Sequence, residues 1–406
     1  MNAFLASVEQ ALNPDLAGKP VIVGGEPGTR GIVICSSYEA RRLGVPFGMA
    51  LAEAYRRLPN AHFVKGDIKI YIDYWHKVQE IFDEYTPQIE PVSMDEGYLD
   101  LTGCRNRFKT VRELGQSLKD AIRERLNLRC SIGISTTKMF AKIACRLGPG
   151  DNMRKPDGLT VISEARALAM LPTLPVRQIP NIGHKTEAML AELGVHTVGD
   201  LQKVPREVLV ELFGVRGSEW YDFARGIDRR EVKLGQSPGS GGHQKTISRE
   251  TTFNADSVDK DFLRGTLYYL LERVCQKLRE LNLVAGRIAV NLRYVDYSSA
   301  DDARTLDFPS NAEGEIHEAV SALFEKIYTR KVGVRHLGVT AMSLSPAFRQ
   351  VALFASEKPF DLARSLDKVR SGLGYHAIYT GRTWHLGKNF REVVDGYELR
   401  TPSLSQ

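Results

Sequence analysis

Asp95 and Glu96 stand side by side in a stretch that otherwise reads as strand, tight turn, strand. Val92 and Met94 lead in with period-two alternation, and Leu99 and Leu101 lead out the same way, which places both carboxylates at an exposed hairpin tip. Two negative charges held together repel, and a bound divalent cation offsets that cost, so the tip is a candidate metal site as well as an ordinary solvated acidic turn. A second group lies upstream. Ser36 or Ser37 can cap a short helix that Gly44 can end, and Tyr38 and Arg41, three apart, share its face. The planar donor fork of Arg and a hydroxyl at a helix N-terminus make a candidate phosphate clamp, with an ordinary exposed pair on a helix surface as the alternative. Lys155, in the turn 155–158, can add a point charge to a phosphate. Residues 176–186, with Gly183 and Lys185, look like a helix-hairpin-helix, whose turn amides bind DNA phosphate without reading sequence. Gly214 marks a second, weaker copy, and a plain αα-hairpin is the alternative for the first.

The elements that must hold these groups follow from periodicity. Continuous apolar runs at 20–25 and 31–35 read as buried strands. Apolar residues at helical spacing predict helices over 71–85 and 111–126, a strand at 130–135 and a helix at 138–144, an α+β catalytic core. The Gly- and Ser-rich stretch 234–243 is the clearest linker. Beyond it, strands at 245–253, 285–294 and 332–344 with helices at 262–281 and 316–327 form a separate small α+β domain. A helical run at 359–373 precedes a polar end expected to be poorly ordered.

With 406 residues, 43% hydrophobic and 26% charged, the chain has ordinary globular composition and room for several cores. It has no apolar run of transmembrane length and no signal-peptide core, so a cytoplasmic location is expected. Five scattered cysteines, Cys35, Cys104, Cys130, Cys145 and Cys275, lack CxxC spacing and argue against a disulfide framework or a zinc site. Acidic residues outnumber basic ones in 1–100, and the balance reverses in 101–230. That asymmetry suits an end that gathers cations beside a region that meets a polyanion.

Five segments in order, Ala3-Phe4-Leu5-Ala6-Ser7-Val8-Glu9, Ser37-Tyr38-Glu39-Ala40-Arg41, Ser93-Met94-Asp95-Glu96-Gly97-Tyr98-Leu99-Asp100, the block 133–158 and the hairpin before Thr186, resemble the Y-family translesion DNA polymerases of the DNA polymerase IV (DinB) type. The resemblance covers residues 1–345 and implies an α+β multidomain fold, a right hand of palm (1–3 and 69–166), fingers (4–68) and a helix-hairpin-helix thumb (167–230). A linker (231–244), a C-terminal α+β little finger (245–345) and a tail (346–406) follow. It implies error-prone addition of deoxynucleotides to a primer 3′ end opposite damaged or undamaged template, by two-metal phosphoryl transfer. Asp95 and Glu96 would be ligands of two Mg²⁺ ions, Tyr38, Arg41 and Lys155 would neutralise the triphosphate, and Leu5 would lie against the sugar. Gly183, Lys185 and Gly214 would hold duplex phosphates, with Lys245, Arg249, Arg335 and His336 reaching the DNA backbone from the little finger. Gln350, Leu353 and Phe354 resemble the peptide that docks bacterial polymerases on the sliding clamp. The expected partners are primer-template DNA, deoxynucleoside triphosphates and the clamp, with no membrane and a monomeric chain.

The chain departs from that pattern in four places. The family carries a metal-bridging aspartate just before the position of Met1, and neutral Asn2 cannot replace it, so a start upstream is expected. Leu5 stands where the family has Phe or Tyr against the sugar, which predicts weaker exclusion of ribonucleotides. Arg146 takes the place of an acidic residue in a lengthened loop, and Asn181 that of a hairpin glycine. The retained Asp95, Glu96, Tyr38 and Arg41 argue against a non-catalytic DNA- and clamp-binding scaffold, and the palm motifs argue against a helix-hairpin-helix glycosylase or nuclease.

Overall fold

The computed structural model describes residues 1–27, 30–104, 108–147, 158–234, 245–347, 358–373, 377–384 and 386. They form two compact units, Met1–Gly241 and Gly242–Gln406, and the division falls inside the Gly- and Ser-rich stretch.

In the first unit, helix α1 (Phe4–Leu12) leaves Ala3, itself left-handed at φ 47°, and buries Phe4, Ala6 and Val8. Strand β1 (Val21–Val23), apolar and buried throughout, is the centre of a three-stranded sheet. It runs antiparallel to β2 (Cys35–Ser36) and parallel to β3 (His62–Val64). Helix α2 (Tyr38–Arg42) follows β2 directly because the Ser37 hydroxyl accepts from the Ala40 amide at 3.3 Å. Gly44, at φ 84°, supplies the left-handed residue just beyond it. After α3 (Leu51–Arg57), helix α4 (Ile68–Asp83) buries Tyr71, Trp75, Val78, Ile81 and Phe82, the stripe its spacing predicts. Strands β4 (Ile89–Ser93) and β5 (Glu96–Leu99) make the acidic hairpin. Helix α5 (Val111–Leu126) has the predicted bounds because Thr110 and Glu113 form a capping box and left-handed Asn127 ends it. One core joins Phe4, Val8, Val21, Trp75, Val78, Leu118 and Ile122, so the elements read as palm and fingers share buried side chains.

Strand β6 (Ile132–Ile134) pairs in parallel with β7 (Leu159–Val161), and helix α6 (Lys138–Leu147) lies between them in the chain. Only a glycine fits at 133, since a Cβ there would stand 2.2 Å from the Ala141 carbonyl oxygen. The far face of α6, Met139, Phe140, Ile143 and Ala144, belongs to a second core with α7 (Glu164–Met170), α8 (His184–Glu192), α9 (Val198–Lys203), α10 (Arg206–Phe213) and α11 (Val215–Ala224).

The second unit is an antiparallel sheet in the order β10, β9, β11, β8, where β8 is Thr246–Ser257, β9 Leu283–Tyr294, β10 Ser299–Ser310 and β11 Val334–Pro346. Helices α12 (Lys260–Glu280) and α13 (Glu313–Ile327) cover one face over Ile247, Phe253, Ile288, Val290, Leu337 and Val339. The sequence reading missed β10, a polar edge strand with little apolar alternation. Helix α14 (Lys358–Leu373) confirms the helical run in the tail. Past it, Thr383 and Leu386 are buried, which corrects the expectation that the whole end is loose. Among the described residues no helix is long and apolar enough to cross a membrane.

Candidate active site

The β4–β5 hairpin puts Ser93 opposite Glu96, with an irregularity in register between Pro91 and Ser93 that leaves Asp95 in the turn. Asp95 is exposed, and its Oδ1 accepts from the Ser93 hydroxyl at 2.5 Å. Glu96 is two-thirds buried and forms an ion pair through Oε2 with the Lys142 ammonium. The Met1 α-amino group donates to the Asp95 carbonyl oxygen, and the Asn2 amide donates to the Arg129 carbonyl at 3.1 Å, so the chain's first residues lie against the tip.

Helix α6 lies along this hairpin. Four residues before Lys142, on the same face, Lys138 Nζ meets both Glu90 oxygens at 2.7 and 2.6 Å and sits 5.0 Å from the centre of the Tyr98 ring. The Lys233 amide also donates to Glu90, at 2.7 Å. Burial opposes charge on Glu90, but Lys138 and Lys233 outweigh it and hold the carboxyl below the usual range. Burial first, then the Glu96 charge, pushes the Tyr98 hydroxyl up to about 12. The Met139 amide at the start of α6 donates to buried Asp228 Oδ2 at 2.8 Å. Arg146, the unexpected basic residue, spends its guanidinium on the Arg177 and Gln178 carbonyls at 3.4 and 3.3 Å.

Tyr38 and Arg41 share one face of α2, with the Arg41 guanidinium 5.5 Å from the Tyr38 ring centre. Burial raises the pKa of the Tyr38 hydroxyl despite Arg41. Cys35, just before this helix, has its thiol pKa raised chiefly by burial, with Arg41 lowering it and Asp95 adding a smaller rise. Leu5 is half-buried at the edge of the same core. Lys155 and the peptide of Gln350, Leu353 and Phe354 lie outside the described residues.

An exposed aspartate, a neighbouring glutamate and a hydroxyl form an all-oxygen donor set of the kind Mg²⁺ takes while keeping positions for water and phosphate, so the residues fit that ion. Among the described residues no group of three or more His, Cys, Asp and Glu gathers at one point.

In the helical part, Asn181 takes the positive φ of a hairpin glycine, at 68°. The element before it is only one 3₁₀ turn, Val176–Gln178, rather than a helix. The copy read as weaker is the fuller one, with α10 and α11 joined by Gly214 at φ 60°, ψ −139°. Both α8 and α11 start from a glycine without a side-chain cap, whereas Thr110, Ser163, Thr197 and Asp259 cap other helices. Gly183 and Lys185 are exposed.

On the second unit's sheet the side chains alternate. His336 lies on the face away from the helices, Nδ1 3.0 Å from the Thr252 hydroxyl and Nε2 3.4 Å from Glu250. Its neighbours across the strands include Arg293, and Arg287 sits farther along the same face between Thr305 and Met342. Sequence reasoning missed both arginines; Arg287, three before buried Val290, and Arg293, one after buried Leu292, have the parity of the open face. Arg335 stacks over Tyr297 at 4.8 Å, and Lys245 is exposed before β8. Arg249 is not brought together with them. It alternates with buried Ile247 and Thr251 on the helix-covered face, where burial and then Arg273 lower its pKa.

Comparison with known proteins follows the same division. Residues 1–146 match the impB/mucB/samB family, 177–228 the DNA polymerase-iota thumb domain and 244–353 the impB/mucB/samB family C-terminal domain. The chain is 34% identical to a DNA polymerase IV of Dehalococcoides mccartyi over 95% of its own length and 96% of the relative's. It is 36% identical to a DNA polymerase IV of Clostridioides difficile over 87% of this chain and 95% of that one. A Y-family DNA polymerase chimera, Dbh-Dpo4(243-245)-Dbh, superposes with a TM-score of 0.73 at 25% identity, covering 85% of this chain and 97% of the chimera. DinB from Sulfolobus solfataricus shares the fold at a TM-score of 0.52 and 24% identity, over 84% and 96% of the two chains.

Proposed function

The chain belongs to the Y-family of DNA polymerases and is a DNA-directed DNA polymerase of the DNA polymerase IV group; from that premise we propose that Asp95 and Glu96 carry template-directed, error-prone nucleotidyl transfer past lesions. The supporting observation is the exposed hairpin tip that sets Asp95 beside Glu96, carried with the Tyr38–Arg41 face of α2 inside residues 1–146, the part that matches the impB/mucB/samB family. Mg²⁺, as two ions, would be held by the Asp95 and Glu96 carboxylates and would supply neutralisation of the triphosphate and acidification of the primer 3′-hydroxyl.

The protein's own groups do the rest. Ser93 fixes the Asp95 carboxylate, and the Lys142 ammonium fixes that of Glu96. Arg41 offers a planar fork to the triphosphate oxygens and Tyr38 a hydroxyl whose raised pKa keeps it a neutral donor. Lys155 adds charge to the same phosphates. Leu5 faces the nucleotide sugar and leaves room for a 2′-hydroxyl that an aromatic ring would exclude.

Uncapped amides at the starts of α8 and α11, with Lys185, take phosphates of the duplex in a sequence-independent way. The open sheet face, with Arg287, Arg293 and His336 set among threonines and the carboxylates Glu250 and Asp301, and with Lys245 and Arg335 at its ends, offers cations to the DNA backbone. The segment with Gln350, Leu353 and Phe354 is proposed to dock on the sliding clamp. Primer extension with Mg²⁺ by the protein and its Asp95→Ala/Glu96→Ala variant tests the assignment, and undiminished extension by the variant overturns it.

A further inference from the structure

Helix α6 has two faces with different tasks. Met139, Phe140, Ile143 and Ala144 are buried in the core of the helical part, and Lys138 and Lys142, one turn apart, reach across the acidic hairpin. Lys138 is fully engaged, with both Glu90 oxygens, the Glu231 carbonyl at 3.2 Å and the Tyr98 ring. Lys142 is tied to one oxygen of Glu96, one residue from exposed Asp95, and keeps 23% of its side chain exposed. A lysine nearer the surface than its neighbour, placed on a proposed metal ligand, is a cation that an incoming ion must share or displace.

We propose that Lys142 is a positioning residue that stands in for the divalent cation at Glu96 and sets how weakly the tip binds that cation before nucleotide arrives. The inference rests on the reading of Asp95 and Glu96 as metal ligands. It follows from charge alone. The Lys142 ammonium makes the charge at the tip one unit less negative than it would otherwise be, which lowers its attraction for a 2+ ion. The ammonium also holds the Glu96 side chain in one orientation, so a ligand is in place before loading, and it moves with α6, whose other face belongs to the helical core.

The test is Mn²⁺ binding to the full chain without DNA or nucleotide, read by the loss of the free-ion electron paramagnetic resonance signal. Lys142→Met is expected to bind Mn²⁺ about tenfold more tightly than the unaltered protein, equivalent to about 1.4 kcal/mol. Lys142→Arg, which keeps the charge, is expected to stay within about twofold, and Lys142→Gln repeats the neutral case should the methionine variant not fold. Unchanged or weaker binding in folded neutral variants overturns the proposal, because a purely structural lysine would alter stability alone. Glu96→Gln separates the two layers of the argument. If it leaves Mn²⁺ affinity untouched the carboxylate assignment fails, whereas if it weakens binding while Lys142→Met changes nothing only the role of Lys142 fails.

Discussion

Replacing Glu90 by glutamine should uncouple α6 from the hairpin. Glu90 is 18% exposed and Lys138 8%, and the amide keeps the shape but removes the charge that both the Lys138 ammonium and the Lys233 amide address. Removing one partner of a buried ion pair costs about 3–5 kcal/mol when the other charge is left dry. Here the Tyr98 ring and the Glu231 carbonyl still face Lys138, so a cost of about 2 kcal/mol is the better expectation. For a unit of this size that lowers the melting temperature by about 4–8 °C. Calorimetry of the full chain reads it in the transition of Met1–Gly241, with that of Gly242–Gln406 as internal reference. The folded Glu90 carboxyl lies below its ordinary 4.5, so its contribution is present above that pH and is lost as pH falls through the folded value. The difference between the two proteins should therefore be full at pH 7 and vanish in acid. A shift under about 1 °C at pH 7, or one that persists unchanged in acid, would refute the reasoning.

Two further outcomes follow from other parts of the molecule. Leu5→Phe should raise discrimination against ribonucleotides in competitive incorporation of rNTP and dNTP, and equal strong discrimination by both proteins would remove Leu5 from the sugar site. Arg287→Ala/Arg293→Ala should weaken primer-template binding for every sequence and reduce the slope of log affinity against log salt by about 1–2. An unchanged slope would place the DNA elsewhere than on the open sheet face.

Much of the chemistry was legible because it depends on local spacing. The carboxylates at a hairpin tip, Ser37 before Tyr38, and the positive φ of Asn181 all act within a few residues. Long-range partners were not legible. Nothing in the sequence pairs Lys142 with Glu96, 46 residues away, or sends Arg146 to carbonyls of the helical part instead of a nucleotide. Arg249 was placed with the DNA-facing residues by its charge, yet strand parity turns it toward α12. Strand β10 escaped notice because an edge strand with one solvated face shows little apolar signal.

The most direct test is Mg²⁺-dependent extension of a primed template by three proteins: the chain as it stands, the chain preceded by one added aspartate, and Asp95→Ala/Glu96→Ala on that second background. The Met1 nitrogen lies against the Asp95 carbonyl, so the added carboxylate would enter at the tip. The account predicts extension that increases with the added aspartate and disappears with the double substitution. Extension that survives the double substitution, or none from any of the three while DNA binding persists, would contradict it.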